Sequence, residues 1–129
     1  MGTDAIPEDV RRVIAAHIDS VAQLEALLLL RSDPAREWDA GAVAERLYIA
    51  ASVAMTVLAE LSTRGFLTAS ARPSPRYRYR PEDERLARAA DLLDAAYRDQ
   101  LVEVTNLIHA KSPPAVQRFA DAFVVRKEK

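Results

Sequence analysis

The sequence predicts a mainly α-helical chain that carries one β-hairpin, and three observations predict it. Apolar residues recur at spacings of three and four through successive segments, most of them opened or closed by Pro, Gly or a capping residue. Two of these segments, around 39–48 and 50–64, are joined by only a few residues, the spacing of a helix-turn-helix. The run Arg76-Tyr77-Arg78-Tyr79-Arg80 then alternates strictly after the turn residues Arg72-Pro73-Ser74-Pro75, which is the pattern of a hairpin.

Taken in order, the first helix is expected over Pro7–His17. Pro7 suits a helix start, Glu8 and Asp9 complement the dipole of the first turn, and Val10, Val13, Ile14 and Ile18 make the apolar stripe. Ser20 and Gln23 have the spacing of a capping box and open a second helix, Ser20–Arg31, which Asp33-Pro34 stops. Its leucine block Leu27–Leu30 is too wide for one buried stripe, so this helix is expected to be the spine of the core. After Trp38, Asp39 caps a helix with Val43, Ala44 and Leu47 on one face, ending near Tyr48. The next helix, Ala50–Arg64, is expected to bury Val53, Ala54, Val57, Leu58 and Leu61, with Gly65 as its left-handed cap. The strands 66–71 and 76–80 follow. Glu82–Ala110 reads as one long helix with Leu86, Ala90, Leu93, Tyr97, Leu101, Val104 and Ile108 along one side. At 1.5 Å per residue it would span about 43 Å, longer than so small a core requires, so part of the stripe is expected to face a second molecule. Ser112-Pro113-Pro114 breaks the chain, and Ala115, Val116, Phe119, Ala122 and Phe123 suggest a short final helix.

The chain of 129 residues, half apolar and 29% charged, suits one compact unit. Folding at this size buries roughly two thirds of the unfolded surface, enough for a core without staples. The absence of cysteine excludes a disulfide framework, a zinc ribbon, a redox pair and a cysteine nucleophile, and points to a cytoplasmic protein. The apolar stretch Ala26–Leu30 falls far short of the ~20 residues of a membrane span, and the first residues carry acids where an export signal carries bases. The net charge of −1 conceals an uneven distribution. Residues 66–81 hold four arginines and no acid, whereas 82–110 hold seven acids and three bases. Nucleic acid would therefore be held by a local patch and not by the overall field.

The order helix, helix, helix, basic hairpin resembles the winged helix-turn-helix of MarR-type and PadR-type bacterial transcriptional regulators. The resemblance covers Ser20–Pro81 and is carried by Trp38-Asp39, Val43-Ala44, Leu47, the run Leu58-x-x-Leu61-x-x-x-Gly65-Phe66-Leu67, and Tyr77 and Tyr79. It implies a three-helix core with a hairpin wing over 20–81, an added N-terminal helix in 1–19 that is a candidate for dimerisation, and a dimerising extension over 82–129. The expected dimer contacts are Leu86, Leu93, Tyr97, Leu101, Val104 and Ile108.

In that fold the helix Ala50–Arg64 would enter the major groove of double-stranded DNA. Its outward positions, Ala51, Ser52, Met55, Thr56, Ala59, Ser62 and Thr63, offer no Asn, Gln or Lys, and Arg64 stands only at the end. Ser52, Met55, Thr56 and Arg64 are the candidate contacts, and with no bidentate donor on the outward face, discrimination between base sequences is expected to be weak. The wing is the stronger feature. Alternation places Tyr77 and Tyr79 on one face and Arg76, Arg78 and Arg80 on the other, so that three guanidinium groups spread over about 13 Å project together, with Arg72 at the tip. They would clamp phosphates or probe a minor groove, unless Glu82, Asp83 and Glu84 fold back to neutralise them.

Catalysis is poorly supported. His17 and His109 lack a paired ligand, and three glycines at 2, 41 and 65 make no phosphate loop. Asp91 and Asp94 share a helix face and are expected to be a solvated acidic surface. A non-enzyme without metal or cofactor is expected. The leading expectation is a homodimeric DNA-binding regulator; the alternative is a winged-helix protein-interaction adaptor, motivated by the plain recognition helix. A third possibility is an effector-sensing regulator with a small molecule near Trp38 or Tyr97.

Overall fold

A computed structural model describes residues 6–70 and 74–111. Among the described residues six helices and one hairpin follow in the order α1 (Glu8–His17), α2 (Val21–Arg31), α3 (Ala40–Leu47), α4 (Ala51–Thr63), β1 (Leu67–Ser70), β2 (Arg76–Tyr79), α5 (Glu84–Asp99) and α6 (Leu101–Lys111). Arg72 and the expected final helix lie outside the described residues.

The local signals act where the sequence places them. Ser20 Oγ accepts from the Gln23 amide at 3.1 Å, Asp39 caps α3 through the Ala42 amide, and Asp83 caps α5 through the Leu86 amide. Gly65 is required twice over. Its φ of +94° is in the left-handed region, and a Cβ there would lie 2.9 Å from both Glu82 Oε1 and Leu86 Cδ1. Its carbonyl also accepts from the Glu82 amide at 2.7 Å, and α5, capped by Asp83, begins at Glu84.

α2 is the spine, as expected. Gln23, Leu24, Ala26, Leu27 and Leu30 are buried, and the helix packs against α3, α4, α5, α6 and the wing. α1 lays Val10, Ile14 and Ile18 onto α5 and α6 of its own chain. The hairpin is antiparallel, with Leu67 opposite Tyr79 and Ala69 opposite Tyr77. A third backbone segment touches it: Trp38 and Tyr77 exchange hydrogen bonds of 2.8 and 2.7 Å, an isolated bridge on the edge of β2 that β1 does not cover.

The long helix is corrected. The chain breaks at Gln100 (φ −136°, ψ 54°), whose amide donates to the Ala96 carbonyl and whose carbonyl accepts from the Val104 amide. No Pro or Gly causes the break. The bend turns Val104 and Ile108 into the core beside α1 and α2, burial that a straight helix would forgo. The expected dimer contacts change accordingly. Leu86, Leu93, Val104 and Ile108 are buried within the chain itself, Tyr97 is half-buried, and of the expected set only Leu101, at 52% exposure, stands out toward solvent.

The two ends of the stripe should therefore respond differently to truncation. Ile108→Ala is expected to cost about 2–4 kcal/mol of stability, while Leu101→Ala should cost less than about 0.5 kcal/mol. Urea denaturation measures both, and equal costs would contradict the bend at Gln100.

Candidate nucleic-acid interface

The wing register sorts its side chains. Thr68 opposes Arg78 and Ser70 opposes Arg76, on the face away from Tyr77. Tyr77 is buried, Tyr79 half-buried, Arg76 and Arg80 exposed, and Arg78 half-buried. The tyrosine-in, arginine-out arrangement is thus found. Thr68 and Ser70 join the outward face, and the alternation Leu67-Thr68-Ala69-Ser70 was the signal for them. Among the described residues none of Arg76, Arg78 and Arg80 has an ion pair, and Asp83 serves as a helix cap instead of folding back onto them.

α4 presents Ala51, Ser52, Met55, Thr56 and Ala59 to solvent, as expected. Val53 is corrected: at 40% exposure it belongs to the outward face. Arg64 turns inward, donating to the His17 carbonyl, to Gln23 Oε1 at 3.1 Å and to Asp19 at 2.6 Å. Glu60 is spent in the same network, accepting from Gln23 Nε2 at 2.8 Å. The Gln23 side chain is fully buried, and its oxygen also accepts the Asp19 amide, one residue before the partner that a capping box would use. The two charged residues of the 51–64 segment, Glu60 and Arg64, therefore anchor it to the α1–α2 junction, leaving its outer surface uncharged.

Asp91 and Asp94 are corrected as well. Both bind Arg31, at 2.7 and 3.3 Å, and Asp94 also meets Arg98 at 3.1 Å, so the pair joins α5 to α2. Tyr79 lies beside this cluster; burial pushes its phenol above the ordinary tyrosine value, against the pull of the Arg31 charge.

Trp38 and Tyr97 line different cavities. One, of about 270 Å³, is lined by Arg36, Trp38, Ala42, Glu45 and Arg46. The other, of about 520 Å³, lies between α2, the end of α3 and α5, and is lined by Glu25, Leu28, Leu29, Ser32, Arg46, Leu47, Tyr48 and Tyr97. Tyr48, in the turn between α3 and α4, has φ 58° and is 94% exposed, a conformation and setting that sequence reasoning missed. Tyr97 donates to Glu25 Oε2 at 2.8 Å. Among the described residues no cluster of three or more His, Cys, Asp or Glu side chains is placed to hold a metal, and no single helix is long and apolar enough to cross a membrane.

Among solved structures the chain is similar to a transcriptional regulator from Thermotoga maritima, with 14% identity and a TM-score of 0.52 over 92% of this chain and 84% of that one. The fold is a winged helix-turn-helix. It is the fold expected from the residues that resemble MarR-type regulators. A MarR family protein from Bacillus stearothermophilus aligns at 12% identity and a TM-score of 0.48, over 94% of this chain and 81% of that one. No protein-family model and no curated protein matches the sequence.

The Tyr97 contact gives the winged helix a pH signature. Burial, followed by the hydrogen bond to Glu25 and its charge, pushes the phenol up to about 12. Folding therefore favours the protonated form, and this contribution to stability is complete below the unfolded tyrosine value of about 10 and is lost as the pH rises through about 12. Thermal melts from pH 9 to 12 should show a steeper loss in the parent than in Tyr97→Phe; parallel curves would contradict the assignment.

Proposed function

We propose that the protein is a DNA-binding transcriptional regulator that grips the phosphate backbone with its wing and reads bases weakly. The observation that carries this reading is the outward face of the hairpin, where Arg76 and Arg78 stand with Thr68 and Ser70, and Arg80 follows at the strand end. Guanidinium groups and hydroxyls are donors suited to phosphate oxygens, and the arginines have no competing carboxylate among the described residues. Tyr77 is paired to Trp38 by two backbone hydrogen bonds while its neighbours pair with β1, which supports a wing whose donors keep one face. Ser52, Met55 and Thr56 on α4 contribute at most single hydrogen bonds and methyl contacts, which confers little discrimination. Arg64 is left out of the interface because its guanidinium is committed to Asp19 and Gln23. The chain acts without chemistry of its own. In a homodimer, the exposed pair Leu101 and Val102 at the start of α6 is the surface the stripe leaves for a second copy, and a small-molecule effector would occupy the Tyr97 cavity.

A second reading, a protein-interaction adaptor, draws on the same helix: Val53 and Met55 are exposed, at 40% and 59%, on a helix whose outer surface carries no charge.

Fluorescence anisotropy on a mixed-sequence duplex at about 50 and 200 mM salt separates the two, because phosphate-driven binding falls steeply with salt. Regulator function predicts binding at low salt, weakened in Arg76→Ala/Arg78→Ala, with the slope of log affinity against log salt reduced by about one per arginine removed. Absence of binding at low salt would contradict it and favour the adaptor.

A further inference from the structure

Trp38 is 2% exposed, and its indole Nε1 is a buried donor with no hydrogen-bond partner among the described residues. Buried polar atoms are nearly always paired, so an orphan of this kind asks for an explanation. Its surroundings supply one. The Arg36 guanidinium lies over the indole ring, 3.6 Å from its centroid, and Arg46 approaches the ring at 5.6 Å. Both arginines are exposed, and neither has an ion pair among the described residues. With Ala42 and Glu45 they line the cavity of about 270 Å³. Two guanidinium groups and the indole that carries the unpartnered N–H thus line a small hollow whose one acid is the exposed Glu45.

We propose that this notch binds an oxyanion of the phosphate class, taken either from a nucleic-acid backbone or from a free phosphate ester. A tetrahedral oxyanion has acceptors enough for both guanidinium groups and the indole N–H, and charge-assisted bonds of this kind are the stronger ones. Arg36 stacks on the ring and has no ion pair among the described residues, so its guanidinium has donors left for an anion. The notch is carried by residues outside the wing; only its backbone source rests on the regulator function proposed above.

Trp38 is the only tryptophan of the chain, so its emission reports on the notch directly. Inorganic phosphate and a mixed-sequence duplex are titrated separately into the full chain at constant ionic strength, with chloride as the control. The proposal expects a saturable change in emission that chloride does not produce, given by phosphate for a free ester and by the duplex alone for a backbone source. Arg46→Gln should raise the half-saturation point about tenfold, the loss of one charge-assisted contact. Trp38→Phe keeps a ring for Arg36 and removes the N–H, and should weaken the same binding measured by calorimetry. Emission unmoved by either probe overturns the notch, and if the duplex still binds by anisotropy through Arg76 and Arg78, the regulator function stands. Saturation by phosphate with no duplex binding supports the notch and overturns the regulator function. Binding unaltered in both Arg46→Gln and Trp38→Phe overturns the assigned donors.

Discussion

Trp38 and Tyr77 exchange two backbone hydrogen bonds, of 2.8 and 2.7 Å, across 39 residues of chain, and this pairing decides what the hairpin can display. A two-stranded ribbon is marginal in water by itself, and its register is easily lost. Bridged to Trp38 before α3, β2 has a backbone partner at Tyr77 on the edge that β1 does not cover. Because the side-chain period is two, holding Tyr77 inward obliges Arg76 and Arg78 to face outward, and a slip of one residue would bury guanidinium groups. The same bridge fixes where α3 starts, since Asp39 caps that helix directly after Trp38.

A second constraint sets the other half of the surface. Gln23 is buried without exposure and uses both ends of its amide, donating to Glu60 and accepting from Arg64 and the Asp19 amide. A satisfied buried amide specifies one arrangement of its neighbours, here the seat of α4 on the α1–α2 junction. The consequence is functional. Both charges of the 51–64 segment are consumed in the anchor, and what remains outward is hydroxyl and aliphatic. The division of labour between an arginine wing and a neutral helix thus follows from how the helix is held.

The fold was largely legible because its signals are local. Ser20 and Asp39 as caps, Gly65 as a left-handed residue and the strict Arg-Tyr alternation each act within a few residues, and each stands where expected. What was illegible depends on partners distant in the chain. Nothing in the periodicity of 84–111 marks Gln100, whose break is favoured by the burial of Val104 and Ile108 beside α1. Arg64 looked like an outward cation because its partners, Asp19 and Gln23, are more than 40 residues away. Asp91 and Asp94 looked solvated for the same reason, with Arg31 sixty residues before Asp91. The bridging role of Trp38 left no pattern, since one residue pair has no period.

Amide hydrogen exchange read at Trp38 and Tyr77 tests most directly whether the wing is a fixed platform. Local stability differs across a fold, and amides in a docked strand open with the core whereas those in a loose ribbon do not. Protection at both amides is expected to be comparable to that in the buried parts of α2 and α4. Exchange at Trp38 and Tyr77 as fast as at the exposed residues near Glu37 would contradict it, because a wing free of the core has no reason to keep its arginines on one side.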